Sequence, residues 1–277
     1  MESYAERLPI AGLAGAVRTV WVQRTGDAPY SQRHLPTGGV EIHFPIGCRP
    51  QLVGPLTGPV VEVIAPHSSI VGVRFFPGAA PPLPMPLDDL VDQRIGLHEV
   101  RPTLADRLFA DVTEAGTPEQ ALPLVQERLL REFRRASHLD DLVRAAVKIL
   151  MPWRAVDIRT TAGHLALSES QLRRRCLQGV GLSPKALQRT LRFQGFLALA
   201  QSGAVATGRR GSDGLASLAV DVGYTDQAHL SRECLRLTGL TPLQLLRGSV
   251  DRCSCGHDHS ASYRPYLATR TNGPARF

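Results

Sequence analysis

Residues 215–242 read Leu215-Ala-Ser-Leu-Ala-Val-Asp-Val-Gly-Tyr-Thr-Asp-Gln-Ala-His-Leu-Ser-Arg-Glu-Cys-Leu-Arg-Leu-Thr-Gly-Leu-Thr-Pro242. Leu215, Leu218, Ala219 and Val222 recur at helical spacing and form one apolar stripe. Gly223 follows the last apolar position, where a helix stops on a residue that takes left-handed dihedrals at little cost. Thr225 or Asp226 is placed to cap a second helix, in which Leu230, Cys234 and Leu237 face inward. Gln227, Ala228, His229, Ser231 and Arg232 are left for the outer face. Gly239 ends that helix, and Thr241-Pro242 opens another. Two short helices, a tight turn and a polar outer face make the helix-turn-helix that lays its second helix in a DNA groove.

The details are more specific than that outline. Gly223-Tyr224, Asp226-Gln227, Ser231-Arg232 and Gly239-Leu-Thr-Pro242 resemble the C-terminal signature of the AraC/XylS family of transcription regulators. The resemblance implies two helix-turn-helix units, and the residues upstream supply a counterpart. Ser168-Glu-Ser-Gln171 is a Ser-x-x-Gln capping box. Its helix runs Ser170-Gln-Leu-Arg-Arg-Arg-Cys-Leu177, with Leu172 and Cys176 inward and Ser170, Arg173 and Arg174 outward. Gly181-Leu-Ser-Pro184 then repeats Gly239-Leu-Thr-Pro242. The preceding helix, about residues 156–165, departs from the family, since Gly163 and His164 stand where stronger helix formers are usual. A long helix from Pro184 to Ala200 links the units, with Leu187, Leu191, Phe193, Phe196 and Leu197 in the core and Lys185, Arg189 and Arg192 toward solvent or phosphate. Residues 202–214 read as a flexible insertion carrying Arg209 and Arg210, longer than the family's usual join.

By alignment with the family motif, Ser170, Arg173 and Arg174 in the first unit, and Gln227, Ala228, His229, Ser231 and Arg232 in the second, fall on base-reading positions. Arg pairs with guanine O6 and N7, and Gln with adenine. Arg173 and Gln227 are the expected base readers. Any single contact has phosphate as its bland alternative, because half or more of protein–DNA hydrogen bonds end there.

Charge supports the placement. Residues 1–139 hold 13 Lys/Arg and 15 Asp/Glu, and residues 140–277 hold 19 and 10, so the halves carry −2 and +9. The basic half is the one suited to a polyanion. No apolar run is long enough to span a bilayer, and no basic start precedes an apolar segment. A cytoplasmic location and no membrane partner are the expectation. The five cysteines form no disulfide framework.

The first hundred residues read as strands. Val17–Val22, Val40–Phe44, Val60–Ile64 and Ile70–Phe76 are β-rich runs broken by Gly38-Gly39, Gly54-Pro55, Gly58-Pro59 and Pro77-Gly78. Within Val40–Phe44, Val40, Ile42 and Phe44 share one face and Glu41 and His43 the other. The stretches Leu35–His43, Gly72–Ala80 and Leu87–Leu90 resemble the cupin-like N-terminal domain of one branch of the same family. That resemblance implies effector binding or dimerisation. The spaced His-x-His and Glu of a metal cupin are missing, although Glu41, His43, His34 and His67 are at hand. Helices are expected at Leu104–Thr113 and from Pro118 to about residue 138, serving either an interface or ordinary packing on the barrel. A further helix should run to about Leu150.

At the far end, Cys253, Cys255, His257 and His259 alternate. They are zinc ligand types at an unusual spacing, and a turn at Gly256 would be needed to close four of them on one ion. A surface tail docking near the DNA-binding domain is the alternative.

The expected class is therefore α+β: a β-rich cupin-like barrel or sandwich (1–100), a helical connector (101–139), an AraC-type domain with two helix-turn-helix units (140–250) and a tail (251–277). The expected function is a sequence-specific transcription regulator without catalytic residues. It binds double-stranded DNA, with a small-molecule effector or a homodimer for control and RNA polymerase as partner if it activates. The rivals are a metal or thiol sensor using the tail, with zinc as the one cofactor in view, and an enzyme fused to the same module. Ada-type alkylation-repair proteins are the precedent for the latter. Their Pro-Cys-His-Arg setting is absent, and Cys48 in Gly47-Cys-Arg-Pro50 is only loosely similar.

Overall fold

A computed structural model describes residues 2–135, 140–207, 214–247 and 260–271. The chain forms β1 (Ser3–Arg7), β2 (Val17–Arg24), β3 (Tyr30–His34), β4 (Glu41–Pro45), β5 (Gln51–Val53), β6 (Val60–Ile64), β7 (Ser69–Phe75) and β8 (Arg94–Gly96). Helices follow: α1 (Leu97–Val100), α2 (Pro102–Ala115), α3 (Pro118–Arg135), α4 (Asp141–Ile149), α5 (Ile158–His164), α6 (Glu169–Val180) and α7 (Pro184–Thr207). The last four are α8 (Leu215–Asp221), α9 (Gln227–Thr238), α10 (Pro242–Arg247) and α11 (Ser260–Thr271).

Six strands make one antiparallel sheet in the order β1-β2-β7-β4-β5-β8, and β3 pairs with β6 in a second, two-stranded sheet. The β-rich N-terminal domain expected from the sequence is present. Its large sheet is covered on both faces. On one, Val20, Val22, Ile42, Phe44, Val71 and Val73 share a core with Leu104 and Leu108 of α2 and Val125 and Leu129 of α3. The middle helices thus belong to the N-terminal core, and Arg128 of α3 clasps Asp111 of α2 through Nε and Nη2 at 2.8 and 2.9 Å.

The opposite face meets the small sheet. Trp21, Tyr30, Ile64 and Ile70 pack there. Trp21 lies across Gly72, where a Cβ would come within 1.9 Å of the indole, so only glycine admits the ring. Glu41 and His43 lie on this face and are buried. Glu41 accepts from Arg74 Nε at 2.7 Å, and His43 Nε2 is 3.3 Å from Glu41. Burial alone would raise the Glu41 carboxyl, but Arg74 and His43 outweigh it and hold it well below the usual carboxylate range. Burial pushes His43 down, against the pull of Glu41.

The helical half packs around α7, with Phe193, Phe196 and Leu197 against α8 and α9, and Leu187 and Leu191 against α4. The described part of the expected tail docks on the helical half and beyond it. Its α11 lies along α7 and reaches β1 and β2, with Tyr266 fully buried. Arg18 of β2 is sealed beneath it at 1% exposure. The Arg18 Nε donates to the Ser262 carbonyl at 2.6 Å and Nη2 to Gln194 Oε1 of α7 at 2.9 Å. The Tyr266 ring covers its guanidinium at 4.4 Å. In return Gln194 Nε2 donates to the Pro36 carbonyl.

Candidate nucleic-acid interface

Each helix-turn-helix unit is built by local signals. In the first, Asp157 caps α5 by accepting from Thr160 N at 2.7 Å. The chain turns through Ala166 at φ 52°, a left-handed position. Ser168 then caps α6 reciprocally: Gln171 N donates to Ser168 Oγ, and Ser168 N donates to Gln171 Oε1 at 2.8 Å. In the second, Gly223 turns at φ 82° and Asp226 caps α9, accepting from His229 N at 2.6 Å. Both α6 and α9 stop on left-handed glycines, Gly181 and Gly239. The inward residues are as the spacing requires: Leu172 and Cys176 in α6, and Leu230, Cys234 and Leu237 in α9, are buried. Burial pushes both thiols up to about 12, so each acts as a small apolar side chain. The α5 helix has only seven residues, and Gly163 and His164 are its last two.

The outer faces divide the candidate residues. Ser170, Arg173, Arg174, Gln227, Ala228 and Arg232 are exposed. Among the described residues Arg173, Arg174 and Arg232 make no ion pair, so all three guanidiniums remain available to an anion. Arg175, by contrast, is tied to Asp140 at the start of α4 at 2.6 Å. His229 and Ser231 are half-buried and engaged at home. The Ser231 hydroxyl donates to the Gln227 carbonyl, and His229 packs edge-on against Tyr224 with Nδ1 3.4 Å from Thr225 N. Of the linking helix's cations expected to face solvent or phosphate, Arg189 instead pairs with Glu233 of α9 at 3.5 Å, while Lys185 is exposed.

Two further contacts escape sequence reasoning, because both cross between domains. One N-terminal loop, residues 54–59, reaches the C-terminal end of both outer helices. A Cβ on Gly181 would lie 2.9 Å from Pro55 and 2.7 Å from the Leu87 carbonyl oxygen. Pro59 stands beside Gly239, and Arg33 of β3 donates to the Thr238 carbonyl at 3.1 Å. A cation at that end suits the partial negative charge of a helix C-terminus.

Residues 208–213 and 248–259 lie outside the described residues, which places Arg209, Arg210 and the Cys253, Cys255, His257 and His259 set beyond structural comment. Among the described residues no group of three or more His, Cys, Asp or Glu is arranged to hold a metal ion. No helix among them is long and apolar enough to cross a membrane.

Residues 161–248 match the family described as a helix-turn-helix domain, and residues 5–96 match a domain of unknown function, DUF6597. Among solved structures the chain is similar to ToxT from Vibrio cholerae, at 10% identity and a TM-score of 0.44, covering 88% of this chain and 98% of that one. ToxT from Vibrio cholerae O395 gives 10% identity and 0.41 over 89% and 96%. Unsaturated fatty acid bound wild-type ToxT from strain SCE256 gives 10% and 0.40 over 89% and 94%. No curated protein matches the chain. Capped and spaced as above and matched by family pattern, residues 161–248 form a helix-turn-helix domain of the AraC type.

Proposed function

We propose that this regulator reads a specific operator by laying α6 and α9 into successive major grooves on one face of the duplex, about one helical turn or roughly 34 Å apart. The observation that carries the reading is the pair of capped helices presenting exposed side chains in their first two turns: Ser170, Arg173 and Arg174 on α6, Gln227, Ala228 and Arg232 on α9. His229 and Ser231 stand beside them and shape the second helix more than they reach from it. Arg173 and Gln227 are assigned to bases. Each good bidentate pair is worth about 1–3 kcal/mol against a wrong base.

The N-terminal domain serves as the control element, through a small effector or through dimerisation. Its support is mechanical: the loop at residues 54–59 abuts the ends of both outer helices, so a change in the domain reaches both. Homodimer formation and contact with RNA polymerase belong to the same proposal. Zinc analysis of the purified chain, with a Cys253/Cys255 double variant, tests the metal-sensor alternative.

Selection of bound DNA by the purified full chain at two salt concentrations tests the main reading. The expected result is a motif with two half-sites one turn apart, in which Arg173→Ala relaxes one position. Purely salt-sensitive binding with no motif would refute it, since that is the behaviour of phosphate contacts alone.

A further inference from the structure

A cavity of about 90 Å³ lies between the two sheets and the helices that close over them, and Arg18, Arg33, Arg74 and Glu41 are on its walls. Arg74 is accounted for: Glu6 and Glu41 take its guanidinium at 2.8 and 2.7 Å. The other two arginines are not. Among the described residues neither Arg18 nor Arg33 has a carboxylate partner. Arg18 is the sharper case. Its guanidinium is permanently charged and 1% exposed, and it meets only a carbonyl, an amide oxygen and two tyrosine rings. Its Nη1 is buried without any partner. Three guanidiniums, Arg18, Arg33 and Arg74, meet two carboxylates, Glu6 and Glu41, so one positive charge is left over at the site, and neutral acceptors offset a buried charge only in part. What the arrangement lacks is an anion.

Size and sign narrow the class. One water needs roughly 10–15 Å³, while drug-sized pockets hold roughly 300–1,000 Å³. The occupant therefore has only a few heavy atoms. Glu41 on the wall disfavours a dianion. A monoanion with two oxygens fits two guanidiniums that each have a donor to spare.

The geometry points to a binding site for a small carboxylate held between Arg18 and Arg33. The inference rests on the reading of the N-terminal domain as an effector-responsive control element, and it names the effector's chemistry. Both arginines already span the domains: Arg18 holds Gln194 of α7, and Arg33 holds the end of α9. A carboxylate drawing on Arg33 competes with its bond to Thr238, so occupancy is felt at the second recognition helix.

The test is thermal unfolding of the full chain in carboxylate-free buffer, titrated with sodium acetate, propionate, phosphate or chloride at constant ionic strength. The expected result is a saturable rise in melting temperature with acetate or propionate, about 5–10 °C at a hundredfold excess over Kd. Arg33→Gln and Arg18→Met should each weaken that binding at least tenfold. Should Arg18→Met fail to fold, Thr37→Leu replaces it by crowding the same cavity, with the same loss expected. An equal response to chloride, a stronger response to phosphate, or unchanged binding in Arg33→Gln overturns the site. Operator binding is measured separately. Carboxylate binding by a chain that reads no operator would support the site and refute the proposed function. Operator reading without a carboxylate response would do the reverse.

Discussion

Gly181 tests the claim that the N-terminal domain braces the first recognition helix. It ends α6 at φ 82°, a conformation that costs an L-residue about 1–2 kcal/mol. A methyl there would also sit 2.7 Å from the Leu87 carbonyl oxygen and 2.9 Å from Pro55. The first of these is backbone and cannot rotate away, so Gly181→Ala adds an overpacking cost of about 1–3 kcal/mol. The expected total is about 2–5 kcal/mol. Gly116 provides the control. It ends α2 at φ 71° with nothing within 4 Å of an added Cβ, so Gly116→Ala should cost the conformational part alone, about 1–2 kcal/mol. Urea unfolding of both variants gives the difference, which is the worth of the contact between the domains. Gly181→Ala should also weaken operator binding, because the end of α6 has to shift. Equal destabilisation by the two substitutions would show that α6 does not bear on the N-terminal domain, and the bracing argument would fall.

Asp226→Ala removes the cap of α9 and should cost about 1 kcal/mol, with affinity lost chiefly at the second half-site; footprinting that shows both half-sites equally affected would contradict this. Stability should fall on acidification. The lowered Glu41 carboxyl contributes above its unfolded pKa of about 4.3 and loses that contribution as pH drops below it, and the lowered His43 acts likewise below about 6.5. Glu41→Gln should flatten the acid limb of a melting-temperature profile, and an unchanged limb would mean that other groups govern it. Iodoacetamide should modify exposed Cys48 in the native protein and leave Cys176 and Cys234 unmodified until unfolding, since burial pushes both thiols up to about 12; peptide mapping that finds Cys234 labelled in the native state would show α9 to be loosely packed.

The DNA-reading half was legible because its signals are local. A capping box, an Asp cap and left-handed glycines each act within four residues, and Ser168, Asp226, Gly181 and Gly239 do in the fold what their spacing implies. The helical stripe gave the buried positions for the same reason. The strands missed were β1, β3, β5 and β8. They are short and carry residues such as Glu6, Gln32 and Arg94 that look solvent-bound until their ion pairs and hydrogen bonds with distant residues are known. Arg18, inside a run of β-formers, gave no hint of burial, because its partners Gln194 and Ser262 are 176 and 244 residues away. Helix α11 was hidden by Pro265 and by apolar positions spread thinly over three residues, Tyr263, Tyr266 and Leu267. Half of the candidate site was therefore written in sequence, and its attachment to the rest of the protein was not.

The separation of Arg18 from Ser262 also sets an order of assembly. A ribosome adding roughly 5–20 residues per second needs on the order of tens of seconds to pass from one to the other. Within that interval the sheet, then α6 and at its very end α9 are added, while the charge on Arg18 stays in water with its cover not yet made. The nascent protein thus has its halves joined through the loop at residues 54–59, Arg33 and Gln194, and the arrival of α11 adds the last clasp between them. A message broken between the codons for Arg247 and Ser260 would yield a protein that keeps the contacts of loop 54–59 and Arg33 with α6 and α9 but leaves Arg18 uncovered.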